Sequence, residues 1–158
     1  MEIITVIAIL LSPLIAVLVT IWMQNRKEKR ERKEAIFSTL MAHRRAFPPV
    51  PDWVKALNLI DVVFSENQKV VVLWHQYYQL LGSASSNNEY QDREHKYIEL
   101  LSEMAKVLGY KNLQQTDIDK YYSPQVIEDQ NKLNFETQTE WLRVLKETQN
   151  LSFIPKDK

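Results

Sequence analysis

Hydrophobic and polar positions divide the chain sharply near its start. Residues 3–23, IITVIAILLSPLIAVLVTIWM, carry no charge, whereas residues 26–34 are charged without exception. At ~1.5 Å rise per residue the uncharged run makes a helix of roughly 30 Å, the thickness of a hydrocarbon core. A cleaved leader needs a basic n-region and a small-residue cleavage site. Glu2 is the only ionisable side chain before the run and no A-x-A follows it, so residues 1–25 are expected to stay in place as a transmembrane anchor. Pro13 lacks an N–H and frees the carbonyl of Ile9, which predicts a mild kink.

Beyond this point the period of the pattern is helical. Ala35, Ile36, Leu40 and Phe47 extend a charged stalk over residues 26–47, stopped by the prolines of FPPVP. Asp52 is expected to cap a helix whose apolar residues Trp53, Ala56, Leu57, Ile60, Val63 and Phe64 recur at i, i+3, i+4 and i+7. Residues 70–81 place Leu73, Trp74, Tyr77, Leu80 and Leu81 on one side. The triple valine that opens them would suit a strand, but the spacing favours a helix. GSASSNNE, residues 82–89, reads as an exposed loop.

A helix over residues 89–108 follows, with Tyr90, Tyr97, Ile98, Leu101, Met104, Ala105 and Leu108 inward and Gly109 as its C′ residue. TDIDKYYSP reads as a short turn. Ser123 and Pro124 then open a last helix, to about Thr148, that carries Ile127, Phe135, Trp141, Leu142 and Leu145 around a polar middle. The fold class is therefore all-α: one N-terminal transmembrane helix continuing into a stalk, then a bundle of four or five helices over residues 52–150 and a flexible tail over 151–158.

Charge fixes an orientation. Formal net charge is zero, yet all 20 Lys and Arg lie after Asn25, and six of them, Arg26, Lys27, Lys29, Arg30, Arg32 and Lys33, follow the uncharged run at once. Basic residues stay on the cytoplasmic side, so the N-terminus is expected outside and the helical domain in the cytoplasm of an inner membrane. Trp22 then sits at the headgroup level and the six cations face the lipid surface. The plainer reading of the same run is a solvated helix laced by the pairs Lys27 with Glu31, Glu28 with Arg32 and Arg30 with Glu34. A mildly acidic body behind a basic collar lacks the broad positive footprint of a nucleic-acid binder.

Candidate chemistry is sparse. The chain has no cysteine and two glycines, which removes thiolate nucleophiles, cysteine-ligated zinc and glycine-rich phosphate loops. Ala8, Ser12, Ala16 and Thr20 recur every fourth residue, a small-residue stripe along which spans could associate into a homo-oligomer. His43, Arg44 and Arg45 suit a helix C-terminus; the alternative is a clasp for an anion or lipid phosphate. His95 shares a helical face with Asp92 and Glu99, a spacing that charged surfaces produce routinely, so no metal is assigned. The aromatic residues Trp53, Trp74, Tyr77, Tyr78, Tyr121, Tyr122 and Trp141 fit a core, or a groove for a partner helix. No catalytic constellation and no cofactor site emerge, and no enzyme is expected.

Residues 44–81, RRAFPPVPDWVKALNLIDVVFSENQKVVVLWHQYYQLL, combine an arginine, a proline break, ALNLIDVVF and LWHQYY. This order resembles an uncharacterised bacterial and phage family of small single-pass membrane proteins with a helical domain of unknown function. The resemblance rests most closely on Asn58, Asp61, Phe64, Trp74 and Tyr78, and implies no activity. The expected function is a membrane-anchored adaptor or accessory protein whose partners are the bilayer and a second protein. The alternative is a homo-oligomeric membrane effector of the phage-defence or lysis type.

Overall fold

A computed structural model describes the backbone of residues 2–46, 48–82 and 87–151, and the side chains of 12–46, 48–82 and 90–148. The described residues form seven helices and no strand: α1 (Glu2–Ala42), α2 (Pro51–Asn58), α3 (Ile60–Val63), α4 (Gln68–Leu81), α5 (Asn87–Leu108), α6 (Gln115–Asp119) and α7 (Gln125–Leu151). Residues 152–158, expected as a tail, residues 83–86, within the stretch expected as a loop, and Phe47, expected on the stalk, lie outside the described residues.

The apolar periodicity finds its partners in a core centred on α5. Leu100, Leu101, Met104 and Ala105 are fully buried there, with Tyr97 and Leu108 at either end. Helices α4 and α5 form the principal packed pair, and the end of α1 lies against α2 and α5. From α2 to its continuation, Ala56, Leu57, Ile60 and Phe64 are buried while Trp53 and Val63 pack at the edge. The expected single helix is divided at Leu59, whose N–H bonds to the Ala56 carbonyl at 3.2 Å, a tightened turn that leaves the buried face continuous. The triple valine is helical, and only Val70 of the three is buried.

Two expectations around the helix ends change and a third holds. Val50, not Asp52, is the N-cap of α2, because Pro51 with its fixed φ already starts the first turn; Asp52 instead pairs with Lys55 at 2.9 Å. The 116–124 segment is not a plain turn. It overlaps α6, whose Ile118 is fully buried and fastens the segment to the core. Gly109 does end α5: at φ 88° it lets Tyr110 N–H reach the Ala105 carbonyl at 2.9 Å and its own N–H reach that of Lys106 at 3.0 Å, a Schellman closure.

Two larger differences concern what the bundle contains. Ile36, Phe37 and Leu40, expected on a stalk, are core residues, so the end of α1 belongs to the bundle. By contrast, none of the described side chains of α7 belongs to the core. Ile127, Leu133, Trp141, Leu142 and Leu145 are all more than half exposed. Tyr90 is likewise exposed on α5.

The helix α1 runs through Pro13 and through the whole charged stretch to Ala42. Among the described residues no helix is long and apolar enough to cross a membrane. The uncharged run is described with its side chains only over residues 12–23, and there Leu14, Ile15, Leu18, Ile21 and Trp22 are about half exposed.

Candidate headgroup groove and the sites around it

The charges of α1 are sorted by face. At 100° per residue, Arg26, Lys29, Arg30 and Lys33 fall at i+4, i+7, i+8 and i+11 from Trp22, on one side of the helix, and Glu28, Glu31 and Glu34 fall away from it. That basic side faces the end of the bundle. Together Trp22, Met23, Arg26, Lys27, Lys29, Arg30 and Lys33 form one wall of a groove of about 620 Å³. Glu66, Val107 and Leu108 line the opposite side.

Internal partners use part of this charge. Lys29 pairs with Glu66 at 2.7 Å, and the Lys33 ammonium donates to Asn67 Oδ1 at 2.8 Å while lying 5.7 Å from the centre of the Phe64 ring. Lys29 and Lys33 hold the Glu66 carboxyl below the usual carboxylate range, Lys29 by a direct hydrogen bond. The Arg26 guanidinium stacks over the Trp22 indole at 4.7 Å.

Two of the three expected pairs along α1 form, Lys27 with Glu31 and Arg32 with Glu28, both at 3.7 Å. The third does not. Glu34 accepts instead from the hydroxyl of Tyr110, which leaves Arg30 without an ion pair among the described residues. Arg32 stands apart from its five basic neighbours, since it does not line the groove.

The other expected sites divide clearly. Ala8 lies outside the residues whose side chains are described; Ser12, Ala16 and Thr20 are exposed. The Thr20 hydroxyl donates to the Ala16 carbonyl at 2.8 Å, within its own helix. Arg44 and Arg45 are not a free clasp. Arg45 meets Asp119 at 2.6 Å and Glu94 at 3.2 Å. Arg44 donates to the carbonyls of Met41, at 2.6 Å, and Lys120, and stacks on Tyr121 at 5.3 Å. Both arginines therefore tie the end of α1 to the α6 segment, whereas His43 has no part in those bonds. Among the described residues no group of three or more His, Asp or Glu side chains is gathered for a metal, at His95 or elsewhere.

A second polar cluster arises where sequence spacing alone signalled little. The Asp61 carboxylate accepts the Trp74 indole N–H at 3.0 Å on one oxygen and contacts His75 Nε2 at 2.9 Å with the other. Tyr78 lies edge-on to Trp74 at 5.7 Å. Thus three of the five residues singled out within 44–81, Asp61, Trp74 and Tyr78, meet in one place, while Phe64 belongs to the core and Asn58 ends α2. Inside the bundle, Tyr77 stacks on Tyr97 at 5.0 Å, and burial pushes both phenols well above their ordinary range.

No curated protein and no solved structure matches the chain. A family model does, over residues 1–158. The chain therefore belongs to DUF6680, a family of unknown function, along its whole length.

Proposed function

We propose that the chain is a membrane-anchored helical interaction protein, an adaptor or accessory subunit held at the cytoplasmic face of a bacterial inner membrane. One observation carries this reading. The helix α1 begins in an uncharged run whose described side chains are about half exposed, and without a break it ends at Ile36, Phe37 and Leu40 in the core. An apolar helix that is bare on all sides is stable in hydrocarbon and costly in water, by about 25 cal/mol for each Å² left exposed. The basic collar supports the orientation, and the exposed apolar residues of α7 support a protein partner. The anchor gives the bundle a location and raises its effective concentration beside other membrane proteins.

The test is fractionation of cells expressing the full chain, followed by native mass measurement in mild detergent. Retention in the membrane after an alkaline carbonate wash, with a second polypeptide in the extracted complex, is the expected result. Release by carbonate overturns the anchor. A pure homo-oligomer that dissociates when Ala16 is changed to Ile would replace the adaptor with the membrane effector.

A further inference from the structure

We infer that the groove between α1 and the end of the bundle is a binding site for a doubly charged, phosphate-bearing lipid headgroup. The inference rests on the anchoring reading and adds a ligand to it. Four cations on one helical face create like-charged neighbours at i+3 and i+4: Arg26 with Lys29, Arg26 with Arg30, Lys29 with Lys33, and Arg30 with Lys33. Each such pair is unfavourable by a few tenths of a kcal/mol on an isolated helix. A helix laced only for solubility would place its glutamates between them. Here the glutamates are on the other faces; of the five basic side chains in the groove Lys29 pairs with Glu66 and Lys27 with Glu31, and Arg26, Arg30 and Lys33 have no carboxylate partner among the described residues. The surplus is relieved by an external anion.

The groove also has the form that a lipid requires. Trp22 and Met23 stand at the end where α1 enters its uncharged run, and Val107 and Leu108 make the opposite wall apolar. In the turn of α5 before them, the Ala105 and Lys106 carbonyls accept the Tyr110 and Gly109 N–H groups. Arg26 and Arg30 offer planar donor forks one turn apart, suited to two phosphate groups. A headgroup held there keeps its glycerol toward Trp22 and the bilayer.

The experiment uses the full chain in phosphatidylcholine nanodiscs doped with either phosphatidylglycerol or cardiolipin at equal total charge, with soluble pyrophosphate as a separate arm. Lipid retention is read by native mass spectrometry and stabilisation by the melting temperature. Cardiolipin is expected to bind about tenfold or more above phosphatidylglycerol at equal total charge, and Arg26→Gln/Arg30→Gln to lose about tenfold. The charge-matched Arg32→Gln/Arg143→Gln, outside the groove, should stay within about twofold of the parent. Equal losses in the two variants, or no loss in either, overturn the site. Pyrophosphate that binds through Arg26 and Arg30 while cardiolipin does not overturns the lipid assignment. A chain that carbonate removes from membranes defeats the anchor itself, whereas a chain that stays embedded without headgroup preference defeats this inference alone.

Discussion

The Tyr97 hydroxyl donates to the Leu40 carbonyl at 3.1 Å, joining the middle of α5 to the end of α1 across 57 residues of chain. The same oxygen accepts the Trp53 indole N–H at 2.7 Å, so α1, α2 and α5 meet at one atom. The helix that carries the uncharged run is thereby built into the bundle instead of hanging from it. Replacement of Tyr97 by Phe keeps the ring stacked on Tyr77 but strands the indole donor. Equilibrium denaturation of the full chain in detergent should show a loss of about 1–3 kcal/mol. A change within error would mean that the three helices are not joined there.

The buried phenols set an alkaline limit. Desolvation raises the folded-state pKa of Tyr77 and Tyr97 above the unfolded value, so their contribution to stability is whole below about pH 10 and is lost as pH rises beyond it. Absorbance at the phenolate band should therefore show these two of the seven tyrosines ionising only as helical circular dichroism collapses. Smooth titration of all seven with the fold intact would contradict their burial.

The two glycines should respond to alanine with opposite signs. At Gly109 the φ of 88° strains any L side chain although no atom lies within 4 Å of the added Cβ, so a destabilisation of about 1–2 kcal/mol is expected. Gly82 has an ordinary φ of −88° at the end of α4, and its Cβ would approach nothing nearer than 3.9 Å. Alanine there should stabilise by about 0.4–1 kcal/mol through the unfolded chain. Thermal melts of the two variants distinguish these outcomes directly.

On α7 the charged residues Glu128, Asp129, Lys132, Glu136, Glu140, Arg143, Lys146 and Glu147 share one side, leaving a broad uncharged face with Trp141 and Leu142 exposed. Leu142→Glu should shift the stability of the isolated protein by less than about 0.5 kcal/mol, since no core contact is lost. Release of a co-extracted polypeptide by the same change would mark this face as its seat. A fall of several kcal/mol would show that α7 packs into the bundle.

Much of the bundle was legible because its helices bury what their period repeats. The i, i+3, i+4 spacing identified Ala56, Leu57, Ile60 and Phe64, and Gly109 marked the end of α5. Two kinds of information were not legible. An amphipathic pattern states that a face must be covered, not by what, so α7 looked like a bundle member and Ile36, Phe37 and Leu40 like a stalk. Long-range partners were equally silent: Glu34 turns to Tyr110, 76 residues away, rather than to Arg30 on its own helix. The basic residues of the groove could be read from sequence, but Glu66, Val107 and Leu108, which make it a groove, reach it through the fold.

Cysteine accessibility tests the anchored account most directly, since the chain has no cysteine of its own and each one introduced is unique. Glu2→Cys and Tyr122→Cys would be treated with a membrane-impermeant maleimide in intact spheroplasts; Tyr122 is 84% exposed, so its substitution should not disturb the core. The expected result is labelling of position 2 from outside and of position 122 only after the membrane is opened. Equal labelling of both positions before and after permeabilisation would contradict a span through α1.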